Sequence, residues 1–126
     1  MIFGIGTDIV ELARIEAMWQ RYGVRLAERL LSRIELPEYH LHAYPARFLA
    51  KRFAAKEAFA KAVGSGLRYP VSLRRISVVH DGLGKPVFQF DVELRTYLSL
   101  LGVCGHHLSI SDERNTVVAF VVLETH

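Results

Sequence analysis

Cysteine is nearly absent from this chain of 126 residues, since Cys104 is the only one. A single cysteine excludes an internal disulfide and C-x-x-C zinc motifs, and it fits a reducing compartment such as the cytoplasm. Because Cys104 follows the apolar segment LSLLGV, we expect its thiol to be buried and not to act as a nucleophile.

Long apolar runs are missing as well. No apolar stretch approaches the roughly 20 residues that a membrane-spanning helix needs. The N-terminus has no basic segment and reaches Asp8 too early for a secretory signal. The chain also lacks repeats, linkers and low-complexity segments. We therefore expect a single domain over residues 1–126 with its own hydrophobic core, no membrane contact and a cytoplasmic location.

Acidic residues are scarce in the middle of the chain. Residues 47–75 contain eight basic residues and one acid, Glu57, whereas residues 76–126 contain three basic and six acidic residues. A basic block predicts contact with phosphate or an acidic partner. A solvated helix face explains the charges equally well, and a nucleic-acid-binding module is a third interpretation. The aromatic residues of the block, Phe48, Phe53 and Phe59, lie at core spacing and form no stacking platform, which disfavours nucleic acid.

The periodicity of apolar residues predicts an α+β fold, with helices packed on a largely antiparallel sheet. The predicted elements are a strand at 2–9, helices within 11–31 broken at Gly23, a capping box at 32–35, a short helix at 37–42, a helix that starts after Pro45 and runs to about Val63, a strand at 73–79, a turn at 81–86, a strand at 87–90, a helix at 91–101 and strands at 107–111 and 116–124. The last strand is apolar on both faces, so we expect it in the middle of a sheet.

The first predicted strand carries a carboxylate near its end. Because side chains alternate along a strand, Gly4, Gly6 and Asp8 share one face, and the backbone beside Asp8 is bare. Glycine in a strand often marks the close approach of a ligand or another backbone. A carboxylate near a buried strand is costly without a partner. We therefore expect a cation beside Asp8, in space that the two glycines leave open.

Glu57 and Lys61 lie four residues apart on one face of the predicted long helix. If exposed, they would form an ordinary ion pair, but the apolar neighbours indicate a partly buried face. Asp8 and Glu57 together would suit magnesium, which accepts one or two carboxylates and completes its shell with water and substrate phosphates. The basic residues Arg52, Lys56 and Lys61 would then meet those phosphates.

Two further segments offer phosphate ligands. GLGKP, residues 82–86, combines a flexible turn with backbone donors and a lysine, but it lacks the Walker spacing. His107 and Ser109 share a strand face and are placed to bind phosphate or ribose, although local hydrogen bonds would satisfy His107 equally well. These spacings predict a magnesium-assisted phosphate site without identifying its substrate, and a magnesium-dependent phosphohydrolase is one interpretation of it.

Four segments resemble the holo-acyl-carrier-protein synthase family, the small 4′-phosphopantetheinyl transferases of bacterial fatty-acid synthesis. They are GIGTDIVELARIE, FLAKRFAAKEAFAKAVGSG, GLGKP and HLSISDER, at 4–16, 48–66, 82–86 and 107–114. The resemblance implies transfer of the phosphopantetheine arm of coenzyme A to a serine of apo-acyl carrier protein, with release of adenosine 3′,5′-bisphosphate. The chain departs from the family at Asp112, where many members have histidine, and in residues 116–119, which lack a common tyrosine.

The resemblance also implies a role for each matching residue. Asp8 and Glu57 would be magnesium ligands and, together with Lys61, the catalytic residues. Glu57, or a water molecule oriented by Asp8 or Glu57, would accept the serine proton, and Lys61 would stabilise the transferred or leaving phosphate. The implied ligands of coenzyme A are Arg52, Lys61, Gly84, Lys85, Pro86 and His107. The implied docking residues for the carrier protein are Arg14, Arg21 and Arg25. Family members are homotrimers with active sites between subunits, and we expect the same here.

Overall fold

The computed structural model describes all of residues 1–126 and contains five strands and five helices. They are β1 (Ile2–Glu11), α1 (Leu12–Tyr22), α2 (Val24–Leu30), α3 (Leu36–Leu41), α4 (Pro45–Val63), β2 (Ile76–His80), β3 (Pro86–Phe90), α5 (Val92–Leu100), β4 (Val103–Asp112) and β5 (Thr116–Thr125). The order of element types is the one that the periodicity predicts. Two boundaries are wrong, because β4 begins at Val103 and not at His107, and because Leu73–Arg75 forms a 3₁₀ turn and not the start of a strand. The carbonyl of Leu73 accepts a hydrogen bond from Lys56, which removes it from any strand ladder.

Both sheets are antiparallel, which confirms the α+β prediction. The larger sheet has the order β1-β5-β4, and β2 and β3 form a separate two-stranded sheet. The apolar strand β5 is central, as its sequence predicts. In its register with β1, Ala119 lies opposite Asp8.

Helix α4 packs against one face of the larger sheet, and two glycines of β1 let it come close. A Cβ atom on Gly6 would lie 1.9 Å from the carbonyl oxygen of Ala58, and one on Gly4 would lie 2.0 Å from that of Ala62. The space beside Asp8 is therefore filled by helix backbone, and the prediction that the glycines clear it for a ligand is wrong. Their effect is to bring Asp8 against α4.

The buried apolar side chains form one cluster of 29 residues, which lies between the sheets and the helices. Helix α4 supplies the largest share, because its alanines allow close packing on the sheet. Helices α1 and α2 are separate, since Gly23 adopts a φ of +56° between them. No helix combines the length and the apolar character needed to cross a membrane.

The capping box before α3 forms only in part. The Ser32 N–H donates to Oε1 of Glu35 at 2.9 Å, as such a box requires. The Ser32 hydroxyl instead pairs with the hydroxyl of Ser77, which holds the segment after α2 against β2.

Cys104 is exposed, contrary to the prediction that it is buried. The apolar segment before it is the end of α5, where Leu100 is 83% exposed. The chain therefore leaves the helix at the surface and enters the edge strand β4, with an irregular register at Val103 and Gly105.

Candidate active site

Asp8 lies on the face of β1 that packs against α4, and its side chain is 14% exposed. Its Oδ1 accepts a hydrogen bond from Nζ of Lys61 at 3.0 Å, and the same ammonium group donates to the carbonyl oxygen of Thr7 at 3.0 Å. The last turn of α4 is thus tied to the strand. The Asp8–Lys61 ion pair therefore lies at the contact between β1 and α4.

Glu57 is half-buried one turn earlier on α4. Burial raises the pKa of its carboxyl group, and the nearby charge of Asp8 raises it further, while Lys61 and Arg14 act in the opposite direction. Lys61 forms its ion pair with Asp8, so Glu57 and Lys61 do not form the ordinary surface pair that their spacing allows. Asp8, Glu57 and Lys61 are referred to below as the carboxylate cluster.

The carboxylate cluster fits a magnesium ion. Lys61 is paired with Asp8, and the nearby charge of Asp8 raises the pKa of Glu57, a repulsion that a divalent cation would relieve. No group of three or more histidine, cysteine, aspartate or glutamate side chains is placed to hold a metal. A cation bound by Asp8 and Glu57 would therefore leave most of its shell to water and phosphate oxygens, as magnesium does.

Lys56, the neighbour of Glu57 in sequence, points to a different side of α4 and is completely buried. Its Nζ donates to Oε1 of Glu35 at 2.5 Å and to the carbonyl oxygens of Leu30 and Leu73 at 2.8 and 2.9 Å. Burial lowers the pKa of Lys56 to about 8, although Glu35 acts to raise it. The prediction that Lys56 meets substrate phosphates is therefore wrong.

Arg52 is buried beside Lys56. Its guanidinium donates to Glu35 at 3.1 Å, to the carbonyl oxygen of Val78 at 2.7 Å and to Glu38 at 3.2 Å. Glu35, Arg52 and Lys56 are referred to below as the buried cluster. These contacts engage both terminal nitrogens of Arg52, and its side chain is 4% exposed. Arg52 and Pro86 line a cavity of about 300 Å³.

The turn before β3 and the strand β4 meet on another part of the surface. Oδ1 of Asp81 accepts hydrogen bonds from the N–H groups of Leu83 and Lys85 at 2.9 and 3.0 Å, which hold the turn and lower the pKa of Asp81. Lys85, Pro86 and His107 line one cavity of about 420 Å³. Nε2 of His107 lies 2.6 Å from Glu124.

The implied ligands of coenzyme A therefore fall into two groups. Lys61 belongs to the carboxylate cluster. The other five line two neighbouring cavities or border them, and Pro86 is common to both cavities. These five are Arg52, Gly84, Lys85, Pro86 and His107. Asp8, Glu57 and Lys61 line neither cavity. One copy of the chain does not bring the two groups together.

The three arginines implied in docking lie on the first two helices, and their surroundings differ. The charge of Arg14 lowers the pKa of Glu57, so this arginine lies close to the carboxylate cluster. The guanidinium carbons of Arg21 and Arg25 lie 5.3 and 5.8 Å from the ring centroid of Tyr22. Of the three arginines, Arg14 is therefore the one that lies near the carboxylate cluster.

Asp112 anchors the turn between β4 and β5. It accepts a hydrogen bond from Arg47 at 2.7 Å and lies 3.3 Å from Nζ of Lys51. Arg47 also donates to the carbonyl oxygens of Glu113 and Arg114, so the whole turn is tied to the start of α4. The departure from the family at this position has a structural role in this chain.

Comparison with known protein families identifies the family of this chain. The family model described as the 4′-phosphopantetheinyl transferase superfamily matches residues 4–120. The chain belongs to this superfamily. It is therefore an enzyme of the phosphopantetheinyl transferase class, and the resemblance read from the sequence is confirmed.

Curated relatives agree over the whole chain. It is 59% identical to the holo-[acyl-carrier-protein] synthase of Nitrosospira multiformis, over 98% of this chain and 99% of the relative. It is 56% identical to the synthase of Nitrosomonas europaea, over the same shares of the two chains. At this identity and coverage, the chain shares the fold and the enzyme class of these synthases.

Solved structures agree as well. The crystal structure of the synthase from Neisseria meningitidis has a TM-score of 0.96 and 51% identity, covering 99% of this chain and all of that one. A synthase from Bacillus anthracis, described as in complex with CoA (3′,5′-ADP), has a TM-score of 0.83 and 39% identity, with coverage of 100% and 99%. The fold is thus that of the holo-acyl-carrier-protein synthases.

Sequence reasoning missed two residues that shape the site. Glu35 is 1% exposed and is the common partner of Arg52 and Lys56. Its only sequence signal was the capping box, which does not indicate burial. Asp81 holds the turn that carries Lys85, and the D-G pair at its start was the available signal.

Proposed function

We propose that this transferase moves the 4′-phosphopantetheine arm of coenzyme A to a serine of apo-acyl carrier protein, with magnesium held by Asp8 and Glu57. The observation that carries the proposal is the carboxylate cluster, in which Lys61 pairs with Asp8 while the charge of Asp8 raises the pKa of the nearby, unpaired Glu57. A bound magnesium ion would neutralise the charge that develops on the pyrophosphate oxygens.

The substrate follows from the relatives. The Bacillus anthracis synthase is described in complex with CoA (3′,5′-ADP), and the Helicobacter pylori synthase, which is 29% identical with a TM-score of 0.83, in complex with coenzyme A. Both relatives are named holo-acyl-carrier-protein synthases. Their names supply coenzyme A as donor and acyl carrier protein as acceptor, in the fatty-acid synthesis that the sequence resemblance implies.

The residues of this chain then have distinct roles. The serine proton passes to Glu57 or, as we favour, to a water molecule oriented by Asp8 or Glu57, because a carboxylate that also holds magnesium is a weak base. The serine oxygen forms its bond to phosphorus as the bond to adenosine 3′,5′-bisphosphate breaks. Lys61 donates hydrogen bonds to Asp8 and to the carbonyl oxygen of Thr7. We assign its ammonium group to stabilise the phosphate that is transferred or released.

We assign the nucleotide end of coenzyme A to the turn before β3 and its surroundings. Gly84, Lys85 and Pro86 form the turn, and His107 lines the cavity beside it. The ammonium group of Lys85 suits a phosphate, and the imidazole of His107 suits a phosphate or a ribose. Arg52 lines the adjoining cavity.

We propose that the enzyme is a homotrimer. The face of the larger sheet opposite α4 is apolar and exposed, with Ile5 and Ile9 53% and 70% exposed on β1 and Val118 and Phe120 39% and 43% exposed on β5. An apolar face of this kind suits burial against another copy. Association would also bring the nucleotide group of one copy towards the carboxylate cluster of the next, which one chain leaves apart.

The carrier protein would dock on the basic side of α1 and α2. Arg14 lies nearest the carboxylate cluster, and Arg21 and Arg25 extend the positive surface along the helices. Positive charge at this position would steer an acidic carrier towards the reacting groups. The free thiol of Cys104 fits the reducing cytoplasm in which we place the reaction.

Intact-mass spectrometry of apo-acyl carrier protein tests the proposal. After incubation with this enzyme, coenzyme A and magnesium, we expect a mass gain of about 340 Da, the phosphopantetheine arm, which a chelator abolishes. Asp8→Ala and Glu57→Ala should each abolish the gain under the same conditions.

The other outcomes are equally informative. Unchanged transfer in both variants would refute the assignment of the metal ligands. An unmodified carrier with intact coenzyme A would refute this carrier as acceptor. Cleavage of coenzyme A without modification of the carrier would identify a phosphohydrolase.

A further inference from the structure

A second polar cavity, of about 540 Å³, lies away from the residues assigned to the reaction. It is formed by the segment after α2, the segment before β2 and the end of β3. Its lining includes Ser32, Arg33, Ser72, Arg74, Arg75 and Ser77. None of these residues belongs to the carboxylate cluster or to the nucleotide group. Its volume lies within the range of small-molecule sites.

Two buried serine hydroxyls lie at this cavity. Ser32 and Ser77 are 5% and 4% exposed, and their Oγ atoms are 2.6 Å apart. Only one hydroxyl proton can lie between two oxygens, so the second proton needs another acceptor. The structure provides no other protein partner for either hydroxyl. A third hydroxyl, that of Ser72, also lines the cavity. The serines therefore present donors to whatever occupies it.

Two arginines on the rim are without acidic partners. Arg33 and Arg74 line the cavity, are exposed and form no salt bridge, whereas Arg75 is paired with Asp91 at 2.7 Å and Glu93 at 3.4 Å. Asp91, the one acidic residue that lines the cavity, also accepts a hydrogen bond from the N–H of Leu94, so its carboxylate already has partners. The charge that remains uncompensated at this cavity is positive.

The walls are fixed by the buried cluster. The N–H of Ser32 donates to Glu35, and the carbonyl of Leu73, between two lining residues, accepts from Lys56. The first contact is buried and the second partly buried, so the two segments that carry most of the lining are held in place without a ligand. A preorganised site loses less entropy when its ligand binds.

We propose that this cavity binds a phosphate group, as free phosphate or as a phosphate monoester of a small molecule. Hydroxyl and guanidinium donors converge there, and phosphate oxygens accept both kinds of hydrogen bond. The open volume beside the serines leaves room for the organic part of an ester. The site is independent of the transfer reaction, because no residue is shared.

Titration calorimetry with inorganic phosphate tests the site in the full-length enzyme. Coenzyme A is left out, because its 3′-phosphate is itself a monoester; phosphate bound at the reaction site is told apart because its ligands are unchanged in Arg33→Gln and Arg74→Gln. We expect saturable binding, and a loss of affinity of about tenfold or more in Arg74→Gln and in Arg33→Gln, since each loses a charge-assisted hydrogen bond. Both side chains are exposed, so the variants should fold and should keep the rate of transfer.

Arg68→Gln is the matched control, because Arg68 is exposed, forms no salt bridge and does not line the cavity. Absence of saturable binding to the unaltered enzyme, or an equal loss in the control, would overturn the proposal. A parallel titration with glycerol phosphate distinguishes the sources. Tighter binding of the ester supports a phosphate monoester as the ligand, and tighter or equal binding of inorganic phosphate supports free phosphate.

Discussion

Helix α4 carries two charged groups on different sides, and they are organised in opposite ways. In the buried cluster, Glu35 lies between Arg52 and Lys56, and backbone carbonyl groups accept the remaining N–H donors. In the carboxylate cluster, Lys61 pairs with Asp8 at the edge of the solvent, and Glu57 has no ion-pair partner. The first group is held by ion pairs and hydrogen bonds within the chain, and the second leaves one carboxylate unpaired.

The difference separates structure from function. A charge is tolerated in the core only when partners surround it, so a buried ionic group has to be complete. Near the surface, water lowers the cost of an incomplete group, and the missing partner can be a ligand. Adjacent residues of one helix, Lys56 and Glu57, fall on either side of this division. Three measurements test this division, and a fourth concerns a residue outside both clusters.

The largest expected effect is on stability. Lys56→Ala should lower the free energy of unfolding by about 3–5 kcal/mol, because it removes one of the two cationic partners of buried Glu35 and the donor to two carbonyl groups. Denaturant titration followed by circular dichroism measures this. Lys56→Met, which keeps most of the volume, should lose less than Lys56→Ala. A loss below 1 kcal/mol in Lys56→Ala would show that the buried cluster is not structural.

The matching change in the carboxylate cluster should affect the rate. Lys61→Ala should reduce the rate of transfer about a hundredfold, since it removes a positive charge from the transferred phosphate. Its free energy of unfolding should change by less than about 0.5 kcal/mol, because the side chain is 54% exposed. Intact-mass kinetics and denaturant titration measure the two quantities. Lys61→Arg, which keeps the charge, should retain more activity; a transfer rate for Lys61→Ala equal to that of the unaltered enzyme would contradict the assignment.

The close contact of β1 with α4 should show an intermediate effect. Gly6→Ala should destabilise the fold by about 1–3 kcal/mol, because its Cβ atom would lie 1.9 Å from the carbonyl oxygen of Ala58. It should also slow transfer, since Asp8 would move away from Glu57. Gly82→Ala is the control, as a Cβ atom there meets nothing within 4 Å. Equal melting temperatures for the two variants would argue against the close contact.

The smallest effect concerns acid, at a residue outside both clusters. Burial, followed by the charge of His107, lowers the pKa of His106, which packs against Phe88 and Phe90. The unfolded chain then binds a proton more readily, so stability is complete above about pH 6.5 and falls as the pH decreases below it. In His106→Gln this fall should be smaller by about 1 kcal/mol or less. Melting curves from pH 7 to 5 measure the difference, with His126→Gln as control; identical slopes would refute it.

Much of the fold followed from local patterns. Apolar periodicity gave the order of the elements, and the doubly apolar strand β5 was correctly expected in the centre of its sheet. The 3₁₀ turn at Leu73–Arg75 and the exposure of Cys104 were missed. In both cases a contact or a surface position set by distant elements overrode a short apolar run.

The candidate site was only partly readable from the sequence. The carboxylates Asp8 and Glu57 and the amine of Lys61 were identified by residue type and resemblance, and the structure places them together. The partners of Lys61 and Lys56 could not be predicted from the sequence. The positions of both lysines on one helix do not indicate contacts with β1 or with Glu35, which are distant in sequence.

The sequence by itself determined the elements, the family and the residue types of the candidate site, because these depend on local pattern and on motifs. Tertiary structure alone decided which charged side chains are paired within the chain and which are left to bind a ligand. Gly4 and Gly6 illustrate the reason. The sequence pattern predicts space for a ligand beside them, whereas in the structure the backbone of α4 packs against them. A side chain's role depends on the partners that folding brings to it, and those partners are far away along the chain.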